Sequence, residues 1–255
     1  MPTSAEAQAF TPSAPERVES MNAETMLETR GLNAYYEESH ILRGVDLDVR
    51  RGEVVTLVGR NGAGKTTTLK SIMGIVRKRS GSIAFEGTPI IGLTSDKIAR
   101  KGIGFVPEER GIYATLTVAE NLALPPVVSD AAWSLERIHA LFPILKERGA
   151  AMGTTLSGGE QQMLAIARVL RSGAKLILLD EPTEGLAPVI VDAIGDLILE
   201  IKKTGVTILL VEQNMRFATR VADRHNLMVH GRIIETMTNA EAIARESDLL
   251  AHLGV

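Results

Sequence analysis

The stretch Gly59-Arg60-Asn61-Gly62-Ala63-Gly64-Lys65-Thr66 fits the phosphate-binding pattern G-x-x-x-x-G-K-[ST]. It follows the apolar run Val54–Val58, which is typical of a strand buried on both faces of a parallel sheet. Residues 67–73 can form a helix. Glycines let such a loop curl so that several backbone N–H groups converge, and the positive end of the following helix attracts phosphate. The pattern therefore predicts a P-loop that binds nucleotide, against the alternative of a chance glycine-rich turn.

Two side chains of the loop carry its predicted chemistry. Lys65 is expected to bind the β- and γ-phosphates and to act in catalysis. Thr66 is expected to place its hydroxyl on Mg²⁺, whose remaining ligands come largely from phosphate and water. Further contacts with the nucleotide are expected from Asn61, Gly62, Ala63, Gly64 and Thr67. ATP and Mg²⁺ are thus the predicted ligands.

An acidic pair, Asp180 and Glu181, follows a second apolar run at residues 176–179. Ligands of parallel sheets bind at the carboxyl ends of the strands, which is where this pair is expected to lie. One carboxylate, Asp180, can hold Mg²⁺, and the other, Glu181, can orient an attacking water in phosphoryl transfer. An Asp-Glu pair at a strand end is otherwise a common solvated turn.

Three apolar runs predict the centre of the fold. Residues 175–179 and 206–211 have the same character as Val54–Val58, and helical stretches separate the three runs, which implies an α/β core. Shorter β-rich segments at residues 45–49 and 82–85 predict further strands around the first helix.

Residues 112–152 have a helical pattern instead and are predicted to be a helical subdomain inserted in the core. Thr117 and Glu120 have the spacing of a capping box. Farther on, four apolar residues recur at helical spacing: Leu135, Ile138, Phe142 and Leu145. Near the end of the chain, His230-Gly231 predicts a hairpin turn, and Asn239 is expected to be the N-cap of a last helix.

Composition excludes several classes of function. The 255 residues carry a net charge of -3, which gives no electrostatic reason to expect nucleic acid as a partner. The absence of cysteine excludes disulfides and thiolate metal sites and is natural in a reducing cytosol. Because no apolar run approaches the roughly 18 residues of a membrane span, a membrane connection is expected to run through a partner. Residues 1–25 do not resemble a signal peptide and are predicted to be a disordered tail.

A second candidate anion site lies at Ser157-Gly158-Gly159, ahead of a helical pattern. A hydroxyl and free N–H groups at a helix N-terminus can bind phosphate. If Ser157 were only an N-cap, the two glycines would each destabilise the helix by roughly 1 kcal/mol without compensation.

Together these motifs resemble those of the ABC ATPases, over nearly all of residues 26–255. Leu156 to Gln161 is similar to the family's signature motif, and Leu176 to Asp180 to its Walker B strand. The resemblance implies a P-loop NTPase core of class α/β, with an N-terminal antiparallel β subdomain and the inserted helical subdomain at about residues 112–152. It also implies that Glu181 is the catalytic carboxylate.

The resemblance further implies that two such ATPase subunits pair head to tail. Each ATP would lie between the P-loop of one protomer and Ser157, Gly158 and Gly159 of the other. Tyr36 resembles the aromatic residue that stacks on adenine; Tyr35 is the alternative, and either could be an ordinary strand residue. The implied partners are membrane permease subunits, a second ABC ATPase subunit and, indirectly, a substrate-binding protein, at the cytoplasmic face of the inner membrane.

Three positions depart from the general family pattern. Glu108 stands where most members have a Mg²⁺-contacting Gln, and it is expected to ligate the metal with an added negative charge. Gln213 stands where a catalytic His is usual; an amide can donate a hydrogen bond to the γ-phosphate but cannot become cationic. Ala187 lies in a loop that usually carries an Asp.

Four strings resemble the ATPases of branched-chain amino acid importers: residues 107–110, 156–168, 184–188 and 210–214. The function implied is therefore hydrolysis of ATP to power a permease that imports branched-chain or related hydrophobic amino acids. Three alternatives are open. One is the related importer of urea and short amides, and another is an ABC ATPase that acts outside transport, on ribosomes or DNA. A third is a module that binds nucleotide without hydrolysing it, which the intact Glu181 argues against.

Overall fold

The computed structural model describes residues 25–253, with side chains to residue 249. The tail predicted for residues 1–25 therefore lies, apart from Thr25, outside the described residues. Ten strands are described: β1 (Thr25–Tyr36), β2 (Ser39–Arg50), β3 (Val54–Val58), β4 (Arg79–Phe85), β5 (Thr88–Pro89), β6 (Ile103–Val106), β7 (Leu176–Asp180), β8 (Thr207–Glu212), β9 (Arg224–Val229) and β10 (Arg232–Thr238).

The helices of the described part of the chain lie between and after these strands. They are α1 (Lys65–Ile72), α2 (Ser95–Arg100), α3 (Val118–Ala123), α4 (Leu135–Leu141), α5 (Pro143–Glu147), α6 (Gly158–Ser172), α7 (Pro188–Lys203), α8 (Met215–Val221), α9 (Asn239–Ala244) and α10 (Glu246–Leu253). A single 3₁₀ turn, Gly153–Thr155, precedes α6.

The larger sheet has the strand order β10-β9-β3-β8-β7-β6 and is parallel except for β10. The three predicted core strands are β3, β7 and β8, and every residue of each is buried, as continuous apolar runs predict. Because these strands run the same way, the loops that follow them meet at one edge of the sheet.

The smaller sheet is antiparallel, with the order β2-β1-β4-β5. This confirms the N-terminal antiparallel subdomain implied by the resemblance. β1 and β2 have 12 residues each and shift register several times, so they are longer and more irregular than the segment at residues 45–49 predicted.

Successive residues of the core strands point to opposite faces and enter different hydrophobic clusters. In β3, Val54 packs with α6 and α7, whereas Val55 and Leu57 pack with the antiparallel sheet and α1. The larger sheet is therefore covered on both faces.

Residues 112–152 form three short helices with long connections. The capping box of Thr117 and Glu120 is confirmed at the start of α3. Of the four apolar residues at helical spacing, Ile138, Phe142 and Leu145 are buried, whereas Leu135 begins α4 and is 40% exposed. The segment packs on α6 through α3, α4 and α5.

The predicted hairpin turn at His230-Gly231 joins β9 to β10, and both residues have positive φ, 46° and 77°, as a tight hairpin turn requires. Gly231 is also held from two sides: its N–H donates to the Ala63 carbonyl at 2.8 Å, and its carbonyl accepts from the Arg43 N–H at 2.9 Å. A Cβ on Gly231 would lie 1.9 Å from the Ile41 carbonyl oxygen. Only glycine fits this position.

The prediction that Asn239 is the N-cap of a last helix is wrong by one residue. Thr238 caps α9 and forms a capping box with Glu241, while Asn239 is the first residue of the helix. The reason is spacing, because a capping box needs Glu three residues after the cap. The Asn239 side chain instead lies 3.0 Å from Nε2 of His225.

Candidate functional site

The phosphate-binding pattern forms a loop between β3 and α1. Gly62 and Gly64 have φ of 79° and 111°, in the region that favours glycine. A Cβ on Gly59 would lie 2.4 Å from the Met228 carbonyl oxygen, so the loop also packs tightly against β9. Gly64 caps α1 without a side-chain hydrogen bond. The first N–H groups of α1 therefore face the loop, where an anion can bind.

Lys65 begins α1 and is 4% exposed. Its ammonium donates to the Gly59 carbonyl at 2.9 Å and lies 3.0 Å from Oε1 of Glu181. The structure thus brings the P-loop lysine and the predicted catalytic carboxylate into direct contact, as the positions of the two motifs at one sheet edge suggest.

Thr66 and Asp180 form the second contact between the two motifs. The Thr66 hydroxyl donates to Oδ1 of Asp180 at 2.8 Å. Burial raises the pKa of Asp180 to about 6, against the opposing effect of this hydrogen bond, and the negative charge of Glu181 adds to the increase. A bound cation would favour the ionised carboxylate.

The donor set fits the expected Mg²⁺. Among the described residues no group of three or more His, Cys, Asp or Glu could hold a metal ion. Mg²⁺ usually takes one or two protein oxygens and completes its shell with phosphate and water, so a hydroxyl and a carboxylate side by side are the expected ligands.

A cavity of about 410 Å³ opens over these groups. The residues that line it are Ile41, Asn61, Gly62, Gly64, Lys65, Thr66, Thr67, Glu108, Glu181, Glu184 and Gln213. Most of the predicted P-loop residues and Glu108 therefore lie together, whereas Ala63, Tyr36 and Asp180 do not line the cavity. Ile41 and Glu184 were not predicted; Glu184 is three residues after Glu181, but nothing in the pattern around Ile41 indicates a site.

Glu181 has φ of 44°, an uncommon value for a residue with a side chain. Its N–H donates to the Val211 carbonyl at 3.0 Å, which anchors the turn after β7 to β8. Gln213, after β8, donates from Nε2 to Oε2 of Glu184 at 3.4 Å. Glu108 reaches the same cavity from the loop after β6.

The two candidate adenine-stacking residues differ in their contacts. Tyr35 stacks on His40, with the ring centroids 4.3 Å apart. Tyr36 is 46% exposed at the end of β1. Neither ring lines the cavity. The stacking of Tyr36 on adenine therefore stays a prediction, whereas the Tyr35 ring stacks on His40 within the antiparallel sheet.

Ser157, Gly158 and Gly159 lie at the start of α6 and do not line this cavity. Ser157 is exposed and forms a capping box with Glu160. A Cβ on Gly159 would lie 2.4 Å from Cγ2 of Ile190, so this glycine permits the close approach of α6 and α7. Packing thus accounts for Gly159, which sequence reasoning attributed to anion binding alone.

The chain is similar to known proteins of one family. The family described as ABC transporter matches residues 42–184. The chain is 44% identical to the High-affinity branched-chain amino acid transport ATP-binding protein BraG of Pseudomonas aeruginosa, over 90% of this chain and 100% of that protein. It is 40% identical to the Probable branched-chain amino acid transport ATP-binding protein LivF of Archaeoglobus fulgidus, over 87% of this chain and 95% of that one.

Solved structures agree with the sequence relatives. A structure described as the ATP binding subunit of an ABC transporter superimposes with a TM-score of 0.77 at 29% identity, covering 91% of this chain and 100% of the other. The order of strands and helices described above is therefore that of a known cassette fold.

Proposed function

Because the chain belongs to the ABC transporter family, we propose that it hydrolyses ATP to power a permease that imports branched-chain amino acids. The ATPase activity belongs to the family and the fold. The solute is supported by identity to BraG over that protein's whole length and to LivF over nearly all of its length. The sequence strings at residues 107–110 and 210–214 resemble those of branched-chain amino acid importer ATPases and therefore support the same solute.

One observation carries the proposal: the P-loop and the end of β7 are joined at two points. Lys65 contacts Glu181 within the cavity, and Thr66, which also lines the cavity, contacts the buried Asp180 behind it. A cation, a hydroxyl and two carboxylates thus lie together beside the P-loop, which supports a role for them at the terminal phosphate of a bound nucleotide.

In the proposed reaction a water oxygen bonds to the γ-phosphorus as the bond from that phosphorus to the β–γ bridging oxygen breaks, giving ADP and phosphate. Lys65 and the N–H groups of α1 stabilise the negative charge on the phosphates. Glu181 accepts a hydrogen bond from the water and orients it, and the Gln213 amide donates to a γ-phosphate oxygen.

Thr66 and Asp180 would hold Mg²⁺, and Glu108 is the third proposed ligand. The ion neutralises charge on the β- and γ-phosphates when it is bound. Between them, Thr66 and Asp180 tie the start of α1 to the end of β7 and thereby fix the carboxylate beside the P-loop.

ABC ATPases pair with a second ATPase subunit and act on membrane permease subunits. We propose a head-to-tail pair here, with Ser157, Gly158 and Gly159 contacting the ATP of the partner protomer. The exposure of Ser157, and its position outside the chain's own cavity, support contact with another subunit. Tyr36 is proposed to stack on adenine, since its ring is half-exposed at the end of β1.

We place the protein at the cytoplasmic face of the inner membrane, beside the permease, with a substrate-binding protein acting indirectly. No helix in the described residues is both long enough and apolar enough to span a bilayer. An importer of urea and short amides is the second candidate, because its ATPases resemble the same four strings.

The loop at residues 108–113 and α3 are the proposed docking surface for a cytosolic helix of the permease. Arg168 of α6 holds the loop: it donates to the Gly111 carbonyl at 2.6 Å, and its guanidinium lies 4.6 Å from the centre of the Tyr113 ring. Beyond α3, Leu124 and Val127 are 50% and 63% exposed. A permease helix on this surface would contact the loop that carries Glu108.

Glu181→Gln tests the ATPase mechanism. The amide keeps the shape of the side chain but accepts a weaker hydrogen bond from water, so we expect ATP binding to persist and turnover to fall by at least a hundredfold. Wild-type turnover in this variant would contradict the assignment of Glu181 as the catalytic carboxylate.

The same variant identifies the partners. We expect tagged Glu181→Gln, purified from detergent-solubilised membranes with Mg-ATP, to retain two membrane-spanning proteins and a second ATPase. Transport assays with the recovered complex then separate branched-chain amino acids from urea. Recovery of ribosomes or DNA without membrane protein would support an ABC ATPase outside transport instead.

A further inference from the structure

Glu212 is a buried carboxylate with no role in the chemistry described so far. It is the last residue of β8, is 2% exposed and does not line the 410 Å³ cavity. It lines a neighbouring cavity of about 550 Å³ together with Thr183 and Gln213. Burying a carboxylate is unfavourable unless the group is hydrogen-bonded, so its partners indicate what it is for.

Each oxygen of Glu212 accepts a hydrogen bond from a different loop. The Thr183 hydroxyl donates to Oε1 at 2.8 Å, and the Asn214 backbone N–H donates to Oε2 at 3.3 Å. Thr183 is two residues after Glu181, and Asn214 directly follows Gln213. One side chain therefore joins the loop of the catalytic carboxylate to the loop of the γ-phosphate-facing amide.

The link continues into the fold beyond these two loops. The Asn214 side chain caps α8 by accepting from the Phe217 N–H at 3.1 Å. By contrast, the direct contact between the two loops, from Gln213 to Glu184, is 3.4 Å long and exposed to solvent. The buried link through Glu212 is thus shorter on its Thr183 side and better protected from water.

We propose that Glu212 and Thr183 are positioning residues that hold Glu181 and Gln213 in fixed relation to one γ-phosphate. The inference rests on the proposed ATPase function of the same cavity. It adds that hydrolysis requires the two loops to be linked, although neither Glu212 nor Thr183 touches the nucleotide.

Two substitutions break the link from opposite sides. Thr183→Val removes the donor at nearly constant volume, and Glu212→Met removes both acceptor oxygens at similar side-chain length. We expect each to lower the kcat for Mg-ATP about tenfold, while KM and the dissociation constant for a fluorescent ATP analogue stay within twofold. Because both break one link, the double variant should be no slower than the slower single variant. Thr183→Ser, which keeps the hydroxyl, should retain wild-type kcat.

Thr29→Val is the matched control, since Thr29 is also fully buried and donates its hydroxyl to a backbone carbonyl, at 3.0 Å from Val45 in the antiparallel sheet. The assays use the purified full-length chain, with melting temperatures measured for every variant. The inference is overturned if Thr183→Val turns over like the wild type, if Thr29→Val loses as much kcat, or if the two losses multiply. A wild type no faster than Glu181→Gln would instead overturn the proposed function itself.

Discussion

At the scale of single residues, two acidic side chains near the cavity differ from ordinary surface carboxylates. Burial raises the pKa of Asp180 to about 6 and that of Glu212 to about 7. For Glu212 the hydrogen bond from Thr183 opposes this increase without cancelling it. Glu212 therefore changes its charge close to neutral pH.

This pKa makes a prediction about stability. An acid whose pKa is raised from 4.5 to about 7 binds more protons in the folded state, so it lowers stability as pH rises through that range and no further above it. Two to three pKa units correspond to about 3 kcal/mol. In urea unfolding between pH 5 and pH 8, Glu212→Gln should gain stability relative to the wild type by about this amount.

Glu120→Gln is the control with the opposite sign. The N-cap of α3 lowers the pKa of Glu120 through hydrogen bonds from the Thr117 backbone and hydroxyl, so its stabilising effect is present above the unfolded pKa and lost as pH falls. Between pH 5 and pH 8 its Gln variant should therefore keep a constant stability difference from the wild type, and the difference should shrink only at lower pH. A parallel pH response of both variants would contradict the assignment for Glu212.

Local sequence patterns are enough to predict the candidate site residues: the P-loop pattern indicates Lys65 and Thr66, and the acidic pair after an apolar run indicates Asp180 and Glu181. They could not identify Glu212, because its burial depends on a hydroxyl donated by Thr183 from another loop. Ile41 enters the cavity only because β2 passes beside the P-loop, and no local pattern records that.

At the scale of elements, the signature helix α6 is packed through small residues. Gly104 of β6 faces it, and a Cβ there would lie 2.1 Å from Cγ1 of Val169 and 2.9 Å from Cβ of Ala174. Val169 is β-branched and has little rotamer freedom in a helix, so it cannot easily move aside. The absence of a side chain at Gly104 therefore allows β6 and α6 to lie this close together.

Gly104→Ala should destabilise the fold by about 2 kcal/mol through overpacking. The midpoint of urea unfolding measures this loss. Adding Val169→Ala to this variant removes the clashing methyl group and should restore part of the lost stability. Gly92→Ala, where a Cβ meets no atom within 4 Å, is the control and should leave the midpoint nearly unchanged.

The proposed docking loop gives a prediction at the same scale. Glu109 and Arg110 lie in the loop that Arg168 holds on α6, and Arg110 donates to the Gln161 side chain at 3.4 Å. We expect Glu109→Lys with Arg110→Glu to reduce permease-stimulated ATPase activity several-fold while basal activity changes little. Unchanged stimulation in the reconstituted complex would rule out docking at this loop.

Elements were predictable to different degrees for a physical reason. β3, β7 and β8 are buried on both faces, and their apolar runs show this directly. The helical subdomain was harder because its helices have five to seven residues and depend on packing against α6. The twelve-residue β1 has mixed polarity and was not delimited.

At the scale of the whole molecule, Arg224 connects the two sheets. It begins β9 in the larger sheet and pairs with Asp48 of β2 at 2.8 Å and with Glu53 at 2.9 Å. Its side chain is 15% exposed, so solvent screens these pairs only in part. The planar guanidinium of Arg224 can donate hydrogen bonds to two carboxylates at once, whereas a lysine ammonium group lacks this forked geometry.

Arg224→Ala should destabilise the protein by about 2 kcal/mol, below the range for fully buried pairs because the Asp48 side chain is partly exposed. Arg224→Lys should recover less than half of this loss. Arg245→Ala removes an exposed arginine that pairs with Glu235, and it should leave stability nearly unchanged because solvent screens this pair. Thermal unfolding of the three variants provides the comparison, and equal losses for Arg224→Ala and Arg245→Ala would contradict the linking role.

The hairpin turn at Gly231 has a consequence for the order in which the protein can be made. Its backbone joins the P-loop at Ala63 to β2 at Arg43, so a segment near the amino end is completed by one near the carboxyl end. β9, which flanks β3, also comes late in the chain. We therefore expect that a nascent chain leaving the ribosome does not assemble its nucleotide site until residue 231 has emerged. Intermediates stalled earlier should not bind ATP.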